Sequence, residues 1–258
     1  MFNLNEGILT SLYPEGVPAP AFYAYYIIGT VLIIAVGYLL GSVNTSIIIS
    51  KLLYRDDIRN HGSGNAGATN MLRTYGKLAA LLTLLGDVAK TAISVLFAAV
   101  IFGFNYRGEI STGVGFCYVA GLFTILGHIF PVYYGFKGGK GVLATAAMAL
   151  ILSPVAFLIL ITLFVIIVAI SRYVSLGSVV AAILYPIVLH GIFQVQFGTT
   201  MPGLTALSAI IAAIIIVWCH RKNLERISNH TENKISFKKK PAEASPIEDT
   251  EEISSDEK

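Results

Sequence analysis

The sequence predicts an all-α polytopic membrane protein of about seven transmembrane helices, with its N-terminus outside and its C-terminus cytoplasmic. Three observations carry that reading. Of 258 residues, 55% are hydrophobic and only 13% charged, about half the charged fraction of a soluble domain, and mean hydropathy is +0.73. Apolar runs recur with gaps too short for a separate soluble domain. Finally, 16 of the 18 Lys and Arg residues fall on one side when the runs are threaded alternately from outside, the exceptions being Arg107 and Lys90. Short cytoplasmic loops collect such residues.

The first twenty residues carry Glu6 and Glu15 and no Lys or Arg, unlike an export signal, and residues 1–20 are expected to be an extracellular segment. A spanning helix needs about 20 mostly apolar residues. Ala21 to Ser50, Leu78 to Phe104 and Thr112 to Phe130 meet that length. Breaks at Ser153-Pro154, Ser171-Arg172-Tyr173 and Gly198 to Gly203 divide the rest into pieces near 142–153, 155–171, 178–197 and 204–218. The first piece is too short to span upright, and five spans is the cautious alternative to seven. The membrane domain is bounded at 21–234.

From Ile235 onward the composition changes, with Lys238 to Lys240, two prolines and seven acidic residues. This 235–258 tail is expected to be disordered and cytoplasmic. It carries four basic and seven acidic residues, or −3, so residues 1–234 hold +6 of the net +3. A basic body suits anionic lipid or an anionic substrate. Cys117 and Cys219 sit in apolar runs and read as small buried hydrophobes.

Polar residues gather in three places. The first loop runs from Asp57 to Arg73 and contains Gly62, Ser63, Gly64, Asn65, Gly67, Thr69 and Asn70. Glycine lets successive N–H groups line a concave anion site, Ser63, Asn65, Thr69 and Asn70 add neutral donors, and Arg59 and Arg73 add fixed charge. Gly62, Gly64 and Gly67 match G-x-G-x-x-G, but no strand precedes them, so a dinucleotide site is excluded by context. A merely flexible linker would not interleave asparagines with small residues between arginines.

The second cluster, Gly127 to Val142, places Lys140 with Gly138, Gly139 and Gly141 at the start of a short helix, where unpaired N–H groups and the dipole attract an anion. It is not a nucleotide P-loop, because Tyr134 stands where the first glycine belongs and Gly141 where Ser or Thr would hold magnesium. His128, closing the preceding run, is read as supporting. The third cluster comprises Tyr173 to Ser178, placed in an inner loop, and His220 to Arg226, where His220 and Asn223 share a helical face. Asp87 and Lys90, three apart within an apolar run, are expected to satisfy each other or a neighbouring loop.

Taken together, G-S-G-N-x-G-A-T-N-x-x-R at Gly62 to Arg73, G-H-x-x-P-V followed by G-F-K-G-G-K-G at Gly127 to Gly141, and H-R-x-N at His220 to Asn223 resemble the PlsY family of bacterial acyl-phosphate:glycerol-3-phosphate acyltransferases. The resemblance extends from Gly37 to Lys234. It implies a multi-pass enzyme of the bacterial plasma membrane with its active site at the cytoplasmic face. The implied reaction moves a fatty acyl group from acyl phosphate to the 1-hydroxyl of glycerol 3-phosphate, giving lysophosphatidic acid and inorganic phosphate without acyl-CoA. This is the first committed step of bacterial phospholipid synthesis.

By that resemblance, Ser63, Arg73, Lys140, His220 and Asn223 are the expected catalytic residues. Gly62, Gly64, Asn65, Asn70, Gly138, Gly139, Gly141 and Ser178 are expected to bind substrate phosphate. Arg59, Asp87, Lys90, His128 and Glu232 are expected to support the site, Glu232 being the family's glutamate downstream of H-R-x-N. No cofactor and no metal are implied, and the acids form no ligand cluster. Expected partners are the two substrates, the bilayer and the enzyme that supplies acyl phosphate, with no nucleic acid.

We expect the Lys140 glycine loop to take the acyl phosphate and Arg73, His220 and Asn223 to take glycerol 3-phosphate, so that Gly139→Ala would chiefly affect the acyl donor. A His-x₄-Asp dyad is absent: the residues five past His61, His128, His190, His220 and His230 are Ala66, Tyr133, Val195, Glu225 and Ile235. A transporter of phosphorylated small molecules is the alternative reading, but no internal repeat is apparent and the motifs fall on one face.

Overall fold

The computed structural model describes residues 7–8, 19–104 and 112–235. The expected extracellular segment, apart from Gly7, Ile8, Ala19 and Pro20, lies outside those residues, as do Arg107 and residues 236–258 of the expected tail. The described residues form α1 (Ala19–Ser42), α2 (Thr45–Tyr54), α3 (Ala68–Tyr75), α4 (Lys77–Phe102), α5 (Thr112–Ile129), α6 (Val142–Leu152), α7 (Pro154–Ser171), α8 (Val174–Phe197), α9 (Gly203–Cys219) and α10 (Arg221–Ser228). They contain no strand.

Five stretches are long and apolar enough to cross a bilayer: α1 with α2 as one bent unit from Tyr23, α4, α5 carried on to Tyr134, α7 and α8. α9 and α10, which bend by 50° at His220, make a sixth. α6 is the seventh apolar segment, and its 11 residues rise only about 17 Å against a hydrocarbon core of about 30 Å.

Three local outcomes differ from the sequence expectation. The first run is two helices rather than one, because Asn44 turns its side chain onto the Ile47 N–H at 3.2 Å and the Ser46 hydroxyl at 2.7 Å, capping α2. The loop after it contains α3, eight residues long with Asn70 and Met71 buried. Ser175, Gly177 and Ser178 are helical rather than in a loop, since α8 begins at Val174. Pro154 sits at the first turn of α7, where its missing N–H leaves no bond unmade.

α5 is the most enclosed of the spans, and small residues let α1 lie against it. A Cβ added at Gly41 would lie 2.2 Å from the Thr124 carbonyl oxygen, and one at Gly127 would lie 2.2 Å from that of Tyr38. Gly37 and Gly41 form a G-x-x-x-G pair, a spacing that allows close helix contact in lipid.

Where α1 ends, Lys90 of α4 closes the exposed carbonyls. Its ammonium donates to Gly41 O at 3.2 Å and Val43 O at 3.1 Å, lies 2.8 Å from Asp87 Oδ1 and meets His128 Nδ1 at 3.0 Å. The expected Asp87–Lys90 pair is therefore formed, and it joins α1, α4 and α5.

Gly41→Ala should force α1 from α5 and cost about 1–3 kcal/mol, seen as a lower melting temperature in detergent. Gly191 in α8 has open space around it, and Gly191→Ala should be neutral or slightly stabilising. An equal effect of the two substitutions would contradict the close-packing account.

Candidate active site

The first loop is shaped by one side chain from α3. Asn70 Oδ1 accepts the Ser63 N–H at 3.0 Å, while Nδ2 donates to Ile58 O at 3.2 Å and His61 O at 2.9 Å. Gly62 has φ +57°, and a Cβ there would lie 2.3 Å from Asn70 Oδ1. Gly64 also has positive φ, at +69°. The loop thus wraps around Asn70 and presents Ser63 at its tip.

A second brace ties this loop to the next. Asp57 Oδ1 accepts Arg59 N at 3.0 Å and Nε at 2.9 Å, and Oδ2 accepts NH2 at 2.7 Å. The remaining guanidinium nitrogen reaches Tyr134 O at 3.0 Å and Lys137 O at 3.3 Å. Arg59 therefore supports the site rather than entering it. The Arg59 guanidinium outweighs the desolvation of Asp57 and holds its carboxyl at about 2.

A cavity of about 380 Å³ lies behind these loops, and Ser63, Arg73, Lys140, His220 and Asn223 all line it. Asn65, Asn70, Gly141 and Ser178 line it too, as do Asp87, His128 and Glu232. Away from the polar residues its walls are apolar, from α6, α7 and α8.

At the polar end, Glu232 organises its neighbours. Its Oε1 accepts from Asn223 Nδ2 at 2.7 Å and from the Ser175 hydroxyl at 2.9 Å, and its Oε2 accepts from Arg226 Nε at 2.7 Å. Burial pushes this carboxyl up, but the three donors outweigh it and hold it below its ordinary value. Asn223, its amide nitrogen so engaged, turns Oδ1 toward Lys140, which donates to it. An ammonium has three donors, so two remain for an anion. Burial lowers the Lys140 pKa, partly offset by Glu232. Among the described residues, no carboxylate lies within ion-pair distance of Lys140 or Arg73. His220 Nδ1 lies 2.8 Å from Ile216 O, so this nitrogen carries the hydrogen and Nε2 is left as an acceptor when the ring is neutral.

Several expected phosphate binders lie away from the cavity wall or are engaged within the protein. Gly62, Gly64, Gly138 and Gly139 are not cavity walls. A Cβ at Gly138 would sit 2.1 Å from His128 O, and one at Gly139 would sit 2.0 Å from His128 Nε2 and 2.6 Å from Ala66 O. These two glycines let the second loop pack onto His128 and the first loop. Gly139→Ala would disturb both loops and cannot single out one substrate. Asn70 spends its amide on the backbone, and the Ser178 hydroxyl donates to Val174 O at 2.9 Å within its own helix. The structure places Lys140 and Asn223, expected to take different phosphates, in direct contact. Ser175 and Arg226 were not expected site residues. The signal for Arg226 was its place three residues after Asn223, on the same helical face.

The family model described as glycerol-3-phosphate acyltransferase matches residues 31–230. The chain belongs to the glycerol-3-phosphate acyltransferase family. The member from Chlorobaculum tepidum is 38% identical over 225 residues, covering 81% of this chain and 97% of its own length. The member from Clostridioides difficile is 40% identical over 212 residues, covering 81% and 97%. The crystal structure of PlsY, an integral membrane glycerol 3-phosphate acyltransferase, in its glycerol 3-phosphate form superposes with a TM-score of 0.69 at 32% identity, covering 80% of this chain and 96% of that one. Its lysophosphatidic acid form gives 0.66 at 31% identity. The family is that of the sequence resemblance, and the fold is an integral membrane one. In this acyltransferase the three motifs, more than 150 residues apart from first to last, share a single cavity.

The Asp57–Arg59 brace makes stability depend on pH. Its carboxyl pKa falls from 3.8 to about 2 on folding, so its contribution is complete above about pH 4 and is lost as pH falls toward 2. Asp57→Asn should cost about 1 kcal/mol at pH 7, a partly exposed ion pair being screened. The gap in melting temperature from the parent should close as the pH approaches 2. A gap constant with pH would show that the charge of Asp57 is not responsible.

Proposed function

We propose that this acyltransferase moves a fatty acyl group from acyl phosphate to the 1-hydroxyl of glycerol 3-phosphate, at the cytoplasmic face of a bacterial plasma membrane, releasing lysophosphatidic acid and inorganic phosphate. The observation that carries the proposal is the cavity's two-ended character. One end holds Arg73 and Lys140, without carboxylate partners among the described residues, and the other is an apolar chamber. A phosphorylated acyl chain has that same division between anion and hydrocarbon. The relatives captured in glycerol 3-phosphate and lysophosphatidic acid forms support the acceptor and the product, and the Lys and Arg tally supports the cytoplasmic side.

The chemistry follows from charge and position. Two phosphates repel each other, and Arg73, Lys140 and the first N–H groups of α6 offset that repulsion within one basin. The hydroxyl oxygen attacks the acyl carbonyl carbon, the bond between that carbon and the bridging phosphate oxygen breaks, and phosphate departs with that oxygen. The hydroxyl proton passes to a substrate phosphate oxygen. Because acyl phosphate has a good leaving group, holding the reactants in line supplies most of the required acceleration. His220 Nε2 accepts from the glycerol hydroxyl and aims it. Ser63, at the loop tip, orients the phosphate or the developing oxyanion and is not acylated.

The test is to supply purified protein in lipid mesophase with palmitoyl phosphate and glycerol 3-phosphate, without coenzyme A, and to follow phosphate and lysophosphatidic acid in equal amounts. Lys140→Met and Arg73→Met should each lower kcat/KM at least 100-fold, a loss of about 2.7 kcal/mol of transition-state stabilisation. Acid quenching during turnover should trap no acylated Ser63. Turnover that requires an acyl thioester would overturn the donor assignment, and a trapped acyl-serine would overturn the direct transfer.

A further inference from the structure

The apolar arm of the cavity is built from three helices at helical spacing. α6 contributes Ala146 and Ala149, α7 contributes Phe157, Ile161 and Phe164, and α8 contributes Ser178, Ala182 and Tyr185. α7 joins α8 through the two residues Arg172 and Tyr173, so those helices run antiparallel. Phe164 then lies nearer the polar end and Phe157 deeper. Ala149 and Tyr185 are the deepest wall residues of α6 and α8.

Along α6 and α8 the cavity lining ends at Ala149 and Tyr185. Its lining carries small residues at Ala146, Ala149 and Ala182, whereas its last α8 residue is the bulky Tyr185, 1% exposed. About one turn deeper, Leu152 of α6 and Leu189 of α8 are 1% and 0% exposed, belong to the same packed core and no longer line the cavity. From Ser175, a Glu232 partner, to Tyr185 is ten residues of α8, a depth of about 15 Å. An extended alkyl chain advances roughly 1.3 Å per carbon, given C–C bonds of about 1.5 Å. The arm therefore accommodates about a dozen carbons before the chain meets the tyrosine ring.

We infer that Tyr185 and Ala149 set the acyl-chain length this enzyme prefers, Tyr185 as the stop and Ala149 as the gap that keeps the last part of the chamber open. This rests on the acyl transfer proposed above and extends it to the length of the substrate's hydrocarbon. Each buried methylene favours binding about fourfold, so space removed from or added to the end of the arm changes selectivity steeply.

The experiment measures kcat/KM for acyl phosphates of 10, 12, 14, 16 and 18 carbons, with the full chain in mesophase and glycerol 3-phosphate saturating. Ala149→Leu adds three carbons to the chamber wall and should lower the ratio of 16-carbon to 12-carbon kcat/KM at least tenfold. Tyr185→Val should move the optimum toward longer chains. Ala149→Val is the milder variant should the leucine fail to fold, and melting temperature identifies the folded ones. Folded variants whose length profile matches the parent's, or whose loss is equal at every length, total loss included, would overturn the inference, the first by showing that the tail leaves the arm for lipid. If the parent turns over no acyl phosphate of any length, the donor reading has failed instead. The same ladder run on acyl thioesters then tests the length inference separately.

Discussion

The ammonium of Lys90 is the contact on which the placement of everything else depends. A helix that stops inside a membrane domain leaves carbonyls without partners, and these are costly where water is scarce. α1 stops at Ser42, and Lys90 takes up the carbonyls of Gly41 and Val43 while its charge is balanced by Asp87. The same nitrogen meets His128, and His128 is the surface on which Gly138 and Gly139 rest. One buried charge thus relates the end of α1 to the position of the Gly138–Gly139 loop.

From that foundation the site is a matter of keeping cations available. Arg59 is occupied by Asp57 and two backbone carbonyls, whereas Arg226 gives its Nε to Glu232. These two arginines build walls. Among the described residues no carboxylate pairs with Arg73 or Lys140, and a low-dielectric chamber makes such charge more effective than it would be in water. Glu232 engages Asn223, Ser175 and Arg226 and forms no direct ion pair with Lys140, although its charge is felt there. The cations of the site thus differ in which partners each already has.

Much of this was legible in the sequence. Long apolar runs separated by Lys and Arg identify a multi-pass helical protein, since lipid admits little else, and the motifs identify the family. What was not legible depended on single side chains turning inward. Asn44 splits the first run by capping α2, and nothing in the hydropathy of Ala21 to Ser50 reveals it. Gly138 and Gly139 look like phosphate binders by type, but their empty Cβ positions are filled by His128 and Ala66 from elsewhere in the chain. Asn70 likewise reads as a ligand donor until its three backbone bonds are seen. The G-x-x-x-G at Gly37 and Gly41 was available in the sequence, and it marks the α1–α5 contact.

The placement of Glu232 has a consequence for how the enzyme comes into being. This residue follows the last helix, and just beyond it the Ile235 N–H fastens to Arg172 O at 2.9 Å. Synthesis proceeds from the N-terminus, so Ser63, Arg73 and Lys140 are all in place while this final wall is still inside the ribosome. A nascent chain released early would hold every upstream motif and lack the carboxylate that aims Asn223 at Lys140. The three upstream motifs therefore acquire this geometry only once the stretch from Asn223 to Ile235 has joined them.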